Sequence, residues 1–291
     1  MGTVLEVTLP SSKLQYADSV YAIFNKLDSL FHPTKKNSDV FRINENAGRW
    51  TKVAKETADC VKKSLILSEE TKGAFDITVG KMVNLWHFEE EGKYTKPPQD
   101  TIEKYKLFVD YRRVKAEGDS VFIGKGQEIT LSGIAKGYAL DLVRAYLLKK
   151  GIKSGIVNAG GDMLILGKKH KKAWMVGIQK PWDKGVFMVL DVEDKCVATS
   201  GNYVRYLKEN DTTYTHIFNP KTGIPLEYKK LSVTVISDSG YIADGLATAL
   251  SVMGKDEGLK LANRLKLGLV GIYDEDTVIN YIAKKYIERD R

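Results

Sequence analysis

Apolar residues recur every three to four positions in several segments of the chain, which is the spacing of one helix face. Between residues 11 and 31, this face includes Leu14, Phe24 and Phe31, and two serines precede it as candidate N-caps. The same periodicity predicts helices over residues 50–69, 135–149, 241–254 and 257–265. The polar segment 32–48 is rich in turn formers and predicts a long loop.

Short apolar runs that are bounded by Gly, Asn, Asp and Lys predict strands elsewhere. We expect strands at the N-terminus over residues 4–9, then over 120–123, 128–131, 155–160, 162–167, 173–178, 185–192, 195–201, 214–218, 231–237, 269–273 and 278–282. The runs after Gly155 follow one another closely, which favours antiparallel pairing. Because strands and helices do not alternate strictly, the pattern predicts an α+β fold rather than a doubly wound one.

The composition is that of a folded protein. The chain has 291 residues, of which 43% are hydrophobic and 28% are charged, so it can bury enough apolar surface to exclude a disordered protein. No run approaches the roughly 20 apolar residues that span a bilayer. The first residues lack the features of a signal peptide. Cys60 and Cys196 are far apart and are expected to be core residues.

The formal net charge is +8, and lysines are dense over residues 167–174. A turn with solvated lysines is the commoner explanation of such a segment, because the interleaved aromatic residues that stack on nucleic acid are absent. We therefore expect no nucleic-acid partner. The positive charge would equally suit a polyanionic small molecule.

Two glycine-rich segments suggest chemistry. Asp76 lies within GAFDITVG, where a tight turn capped by its side chain and followed by a strand is the simpler interpretation. Lys136 lies between Gly133 and Gly137 in LSGIAKGYALD, at the start of a predicted helix. Free amides and a lysine there suit a diphosphate. Glycines for close helix–sheet packing and a solvated lysine remain the alternative.

Three further segments carry polar residues in unusual positions. Asp244 and Thr248 are four residues apart on a predicted helix and share a face, so they could supply oxygen ligands to Mg²⁺. Alternatively, Asp244 caps the helix and Thr248 bonds back to a carbonyl. The glycines of NAGGD, residues 158–162, form either a hairpin or a close approach to a ligand. His216 lies in a predicted strand, where a structural role is more usual.

The order of these motifs is more informative than any one of them. MGT at the start is followed by NSDVFRIN, GAFDITVG, LSGIAKGYALD, NAGGD, TSGNY, HIFNPKTG and ADGLATAL. In sequence and spacing this series resembles the ApbE family of FAD:protein FMN transferases, from Met1 to about Gly254. The resemblance implies an α+β fold of two interlocked T-fold-like halves with mostly antiparallel sheets and a ligand cleft between them. Residues 1–291 would then form a single domain of two intertwined subdomains.

The resemblance also implies a reaction. Members of the family use Mg²⁺ to cleave the pyrophosphate of FAD, transfer FMN to a Thr or Ser hydroxyl of an acceptor protein, and release AMP. Typical acceptors are subunits of redox-driven ion pumps and other electron carriers. Two alternatives stay open: a Mg²⁺-dependent FAD pyrophosphatase that yields FMN and AMP, and a non-catalytic FAD-binding protein.

Site residues follow from the matching motif positions. The resemblance implies Asp244, Thr248 and the Gly133 carbonyl as metal ligands, with Asp244 and the base His216 as catalytic residues. It implies FAD contacts at the following positions: Met1, Ala74, Phe75, Asp76, Thr130, Lys136 and Ile217.

Two features depart from the family pattern. Many relatives carry Asp where this chain has Thr130, so Thr130 supplies a weaker hydrogen bond to FAD or that contact is lost. Most relatives are held on the outer face of the membrane by a lipoprotein leader, and none is visible here. Either a leader is absent from the sequence as given, or the protein is a leaderless cytoplasmic form.

Overall fold

A computed structural model describes residues 2–87, 96–201, 206–209, 212–228 and 230–287. The chain divides into two compact units, each built from separate segments. The first unit contains Met1–Lys26, Ile134–Gly201 and Lys230–Arg291, and the second contains Leu27–Gly133 and Asn202–Lys229. Met1, an expected FAD contact, lies outside the described residues.

The described helices and strands are numbered in chain order. The helices are α1 Ala17–Phe31, α2 Asp39–Glu45, α3 Lys55–Glu70, α4 Gly80–Leu85, α5 Gln99–Lys106, α6 Ala135–Lys149 and α7 Gly240–Arg264. The strands are β1 Leu5–Thr8, β2 Trp50–Lys52, β3 Lys115–Glu117, β4 Ser120–Phe122, β5 Gly155–Ala159, β6 Asp162–Leu166, β7 Trp174–Gln179, β8 Val186–Val192, β9 Cys196–Gly201, β10 Tyr206–Glu209, β11 Thr212–Asn219, β12 Ile224–Glu227, β13 Leu231–Ser237, β14 Gly268–Tyr273 and β15 Asp276–Ile279. Short 3₁₀ segments cover Ser11–Tyr16, Tyr111–Arg113 and Ala283–Lys285.

The first unit is built on a seven-stranded sheet with the order β1-β5-β6-β9-β13-β14-β15. Every neighbouring pair in this sheet is antiparallel. Helices α6 and α7 pack against the sheet, and the β7–β8 hairpin joins an apolar cluster with Ile165, Val197 and Ile236. Because the strands alternate their side chains between two covered faces, every residue of β13 is buried.

The second unit contains two small antiparallel sheets, β2-β4-β3 and β10-β11-β12, together with α2 to α5. Its aromatic core packs Trp86 against Tyr214 and Phe218 of β11. The mixture of helices and antiparallel sheets confirms the predicted α+β class. Among the described residues, none of the helices has the length and apolarity needed to cross a membrane.

Several predicted elements are wrong in detail. The expected loop over residues 32–48 contains helix α2, whose N-cap Ser38 accepts a hydrogen bond from the Phe41 amide at 3.1 Å. The expected helix over residues 50–69 begins with strand β2, and α3 follows. The expected strand over residues 128–131 is reduced to one bridge between Val79 and Glu128.

Side-chain hydrogen bonds explain why no strand forms at 128–131. The amide group of Asn44 donates to the Ile129 carbonyl at 3.1 Å and accepts from the Ile129 amide at 2.8 Å. A side chain therefore satisfies the backbone groups that a neighbouring strand would otherwise satisfy.

Candidate active site

Two helices of the first unit approach each other at a pair of glycines. A Cβ atom on Gly137 of α6 would lie 2.1 Å from the Gly240 carbonyl oxygen of α7, and one on Gly240 would lie 2.3 Å from the Gly137 carbonyl oxygen. No side chain fits at either position, so the glycines allow the close approach of the two helices. Gly137 therefore serves close packing, as one interpretation predicts, but the predicted partner was wrong, because α6 meets helix α7 here and not the sheet.

An aspartate of α6 caps the N-terminus of α7. Oδ1 of Asp141 accepts a hydrogen bond from the Gly240 amide at 2.6 Å, and Oδ2 accepts from the Tyr241 amide at 3.0 Å and from Ser239 Oγ at 2.7 Å. These contacts satisfy amides that the first helical turn leaves unpaired. Because α7 begins at Gly240, Asp244 lies beyond its first residues, and the alternative in which Asp244 is the N-cap is wrong.

The carboxylate of Asp244 is buried and faces α6. Its Oδ2 accepts a hydrogen bond from the Gly137 amide at 2.8 Å, and the residue is only 5% exposed. Burial raises the pKa of Asp244 above the usual range of an aspartate, and the charge of Asp162 raises it further, whereas Lys136 and the Gly137 amide lower it. The site therefore favours an additional positive charge.

Lys136 forms an ion pair with Asp162. Its side chain is 25% exposed and that of Asp162 is 2% exposed, so the alternative in which this lysine is only solvated is wrong. Two carboxylates and one ammonium thus lie together within the first unit, on residues from α6, β6 and α7.

Asp162 follows a tight hairpin. Gly160 and Gly161 connect β5 to β6 with φ values of 64° and 99°, which are favourable for glycine. The NAGGD motif therefore forms the hairpin that was one of its two interpretations, and it delivers Asp162 as the first residue of β6. Sequence reasoning marked the motif but did not assign a role to its aspartate.

The hydroxyl groups of Thr248 and Ser200 lie close to each other in the first unit. Thr248 Oγ1 lies 3.2 Å from Ser200 Oγ of β9, and both residues are half-buried. Asp244 and Thr248 lie four residues apart within the regular part of α7, as their spacing predicts. Ser200 was not predicted, although it belongs to the TSGNY motif.

These donors are compatible with a hard cation such as Mg²⁺. A carboxylate and hydroxyl groups are oxygen ligands, and Mg²⁺ uses few protein ligands together with water and phosphate oxygens. Among the residues that the structure describes, no three His, Cys, Asp or Glu side chains form a metal-binding group. An ion at this position would therefore need oxygens from outside this set.

In the second unit, Asp76 forms a side-chain turn. Its Oδ1 accepts hydrogen bonds from the Thr78 amide at 2.8 Å and from Thr78 Oγ1 at 2.7 Å, and its Oδ2 accepts from the Tyr111 amide at 3.0 Å. Burial raises the pKa of Asp76, and the hydrogen bonds from Thr78 and Tyr111 offset only part of this effect. The predicted turn is confirmed, but it leads into α4 rather than a strand.

Other expected FAD contacts lie near this turn. Ala74 and Phe75 are buried, and the Ile77 carbonyl accepts a hydrogen bond from the Thr130 amide at 2.8 Å. The Thr130 hydroxyl accepts from the Ser132 amide at 3.3 Å. Asp76 also lines a pocket of about 390 Å³ within this unit, together with Glu69, Lys72, Gly73, Val109, Asp110, Tyr111, Arg112, Pro220 and Lys221.

His216 and Ile217 lie on β11 of the second unit, where His216 is half-buried and Ile217 is buried. The Ile217 amide donates to Thr215 Oγ1 at 3.1 Å. Gly133 is the last residue of this unit in the segment that precedes α6. The structure thus groups Lys136, Asp244 and Thr248 in one unit and Ala74, Asp76 and Thr130 in the other.

A family model described as "ApbE family" matches residues 1–271 of this chain. An FAD:protein FMN transferase of Vibrio cholerae is 32% identical over 248 residues, which are 83% of this chain and 74% of that protein. An FAD:protein FMN transferase of Escherichia coli K12 is 30% identical over 290 residues, which are 94% of this chain and 82% of that protein.

A solved structure agrees with these sequence matches. The crystal structure of the ApbE protein of Thermotoga maritima superimposes with a TM-score of 0.93 and 30% sequence identity. The match covers 99% of this chain and 97% of the other. The similarity therefore extends over nearly the whole length of both proteins.

Proposed function

This chain belongs to the ApbE family, and on that premise we propose that it transfers FMN from FAD to a Thr or Ser hydroxyl of an acceptor protein, with Mg²⁺ as cofactor and AMP as the second product. As a member of the family it is a flavin transferase. The metal, the released nucleotide and the chemical nature of the acceptor group belong to the proposal.

One hydrogen bond gives the strongest support to this proposal. The hydrogen bond from the Gly137 amide to Asp244 joins LSGIAKG to ADGLATAL across 107 positions of sequence. It places Lys136, which follows the start of α6, in the same cluster as two buried carboxylates. A lysine suits the diphosphate of FAD, and carboxylate and hydroxyl oxygens suit the cation that accompanies it.

We assign the metal to Asp244, Thr248 and the Gly133 carbonyl. When bound, Mg²⁺ would supply Lewis-acid stabilisation of charge on the phosphate oxygens. Lys136 holds a positive charge for the diphosphate, and Asp141 fixes the start of α7 on which Asp244 lies. We assign the remaining FAD contacts to Met1, Ala74, Phe75, Asp76, Thr130 and Ile217.

The transfer step needs a nucleophile and a base. The acceptor hydroxyl oxygen bonds to the phosphorus on the FMN side, the bond from that phosphorus to the bridging oxygen breaks, and AMP leaves with this oxygen. The hydroxyl proton passes to a base, a role that we assign to His216. A neutral hydroxyl is a weak nucleophile, and general base catalysis contributes about 10²–10⁴-fold.

An intact-mass experiment tests this proposal. Purified protein is incubated with FAD, Mg²⁺ and a protein that carries a candidate acceptor threonine. Addition of FMN minus water to the acceptor, together with AMP in solution, supports the transferase. Free FMN and AMP without modified acceptor would instead indicate the pyrophosphatase. Unchanged FAD would indicate a binding protein.

A further inference from the structure

We propose that Asp162 is a positioning residue that holds the ammonium group of Lys136 for the diphosphate of FAD. The inference rests on the proposed function for the identity of the ligand. It gives a role to Asp162, the last residue of the NAGGD motif. The proposed reaction by itself gives no reason for the hairpin that this motif forms.

The environment of Asp162 fixes its carboxylate from two sides. Oδ1 accepts a hydrogen bond from the Thr199 amide of β9 at 3.1 Å, and Oδ2 pairs with Lys136. The residue is 1% exposed. A buried carboxylate is unfavourable unless it is paired, so Asp162 restricts where the Lys136 ammonium lies.

Restricting a lysine before the ligand arrives has a direct benefit. A lysine side chain that moves freely loses rotamer entropy when a ligand fixes it. The Lys136 side chain remains 25% exposed, so a ligand can reach this side chain while Asp162 orients its ammonium group. Preorganisation of this kind increases affinity because less freedom is lost on binding.

If the ion pair of Lys136 and Asp162 were purely structural, it would not explain why the Asp244 carboxylate also lies nearby. Asp244 accepts a hydrogen bond from Gly137, the residue next to Lys136, so two buried carboxylates lie close to this lysine and their negative charges oppose each other. Stability alone favours separating such groups. Their proximity to one lysine is instead expected where cationic and phosphate groups must be bound together.

The test measures how strongly Lys136 and Asp162 depend on each other in FAD binding. The dissociation constant is determined from flavin fluorescence, without divalent cations, for the wild type, Lys136→Met, Asp162→Asn and the double variant. Asn keeps an oxygen for the Thr199 amide. We expect Lys136→Met to weaken FAD binding about tenfold when Asp162 is present, the scale of one charge-assisted hydrogen bond, and much less when it is absent.

A coupling of the opposite sign between Lys136 and Asp162 in FAD binding would overturn the inference. If Asp162 merely screens the lysine, Lys136→Met will weaken binding more in the Asp162→Asn background than in the wild type. An equal effect in both backgrounds would also contradict positioning. Riboflavin, which lacks phosphate, should bind all four proteins alike, whereas general structural damage would weaken riboflavin too.

Two further proteins complete the design. Asp162→Glu keeps the charge but moves the carboxylate by one methylene, so weaker FAD binding is expected, and unchanged binding would count against the inference. Asp276→Asn removes an exposed partner of Lys255 in the same unit and should bind FAD as the wild type does. Since this assay contains no metal or acceptor, failure of transfer in the mass experiment would reject the proposed function without altering the coupling between Lys136 and Asp162.

Discussion

The amide of Gly137 donates a hydrogen bond to the Asp244 carboxylate at 2.8 Å, although the two residues are 107 positions apart in sequence. The contact exists because neither Gly137 nor Gly240 has a side chain to separate α6 from α7. One glycine thus permits the helix packing and also supplies the donor that orients the carboxylate.

Gly137→Ala should therefore both destabilise the protein and reduce turnover. The new Cβ would lie 2.1 Å from the Gly240 carbonyl oxygen, and overpacking of this kind typically costs about 1–3 kcal/mol. Urea unfolding and FAD turnover are the measurements. Gly258→Ala on α7 is the matched control, because its nearest neighbour would be 3.5 Å away. Equal stability of the two variants would refute the packing argument.

Asp244→Asn should separate activity from stability. The side-chain oxygen of Asn can still accept from Gly137, but the negative charge is lost, so we expect turnover to fall by at least about 100-fold. The free energy of unfolding should stay equal or increase at neutral pH, because burial disfavours the ionised carboxylate. Asp256→Asn, an exposed position of α7, should change neither property. Full activity of Asp244→Asn would contradict the metal assignment.

His216→Ala should leave FAD binding largely intact and slow FMN transfer about 10²–10⁴-fold. The reason is that the imidazole is assigned to the proton of the acceptor hydroxyl and not to the flavin. Fluorescence titration and the rate of acceptor modification measure the two effects separately. His170→Ala, at an exposed position of the lysine-rich turn, serves as the control. Loss of FAD binding in His216→Ala would show that the histidine holds the nucleotide instead.

Thr130→Asp should strengthen FAD binding about tenfold, because a carboxylate is a stronger acceptor than a hydroxyl. The local turn should tolerate the change, since an aspartate can also accept from the Ser132 amide. Thr130→Val distinguishes the two explanations of the natural residue. Weaker FAD binding would mean that the hydroxyl contacts FAD, and unchanged binding would mean that this contact is lost in the wild type.

Asp76 should make stability depend on pH. Because burial raises its pKa in the folded state, folding is favoured by the protonated form, and this contribution is lost as pH rises through the folded-state pKa. The stability of the wild type relative to Asp76→Asn should therefore decrease as the pH rises above about 4, the ordinary pKa of an aspartate. Urea unfolding of both proteins measures the difference. A relative stability that rises with pH would show that hydrogen bonds to the carboxylate outweigh burial.

Local patterns were sufficient for elements whose residues interact mainly with their sequence neighbours. The periodicity of residues 135–149 predicted α6, and the short apolar runs after Gly155 predicted most strands of the seven-stranded sheet. Helix α2 was missed because it has seven residues and lies in a polar segment. Its N-cap Ser38, three residues before Phe41, was the available signal.

The sequence also brought out the motifs by which the family could be recognised, and with them Lys136, Asp244 and Thr248. Only the tertiary structure revealed that Asp141 caps α7, that Asp162 pairs with Lys136 and that Ser200 approaches Thr248. The physical reason is that these partners are joined by hydrogen bonds and ion pairs across distant segments. Such contacts leave no periodic pattern in the sequence, because their geometry depends on how α6, α7 and the seven-stranded sheet pack.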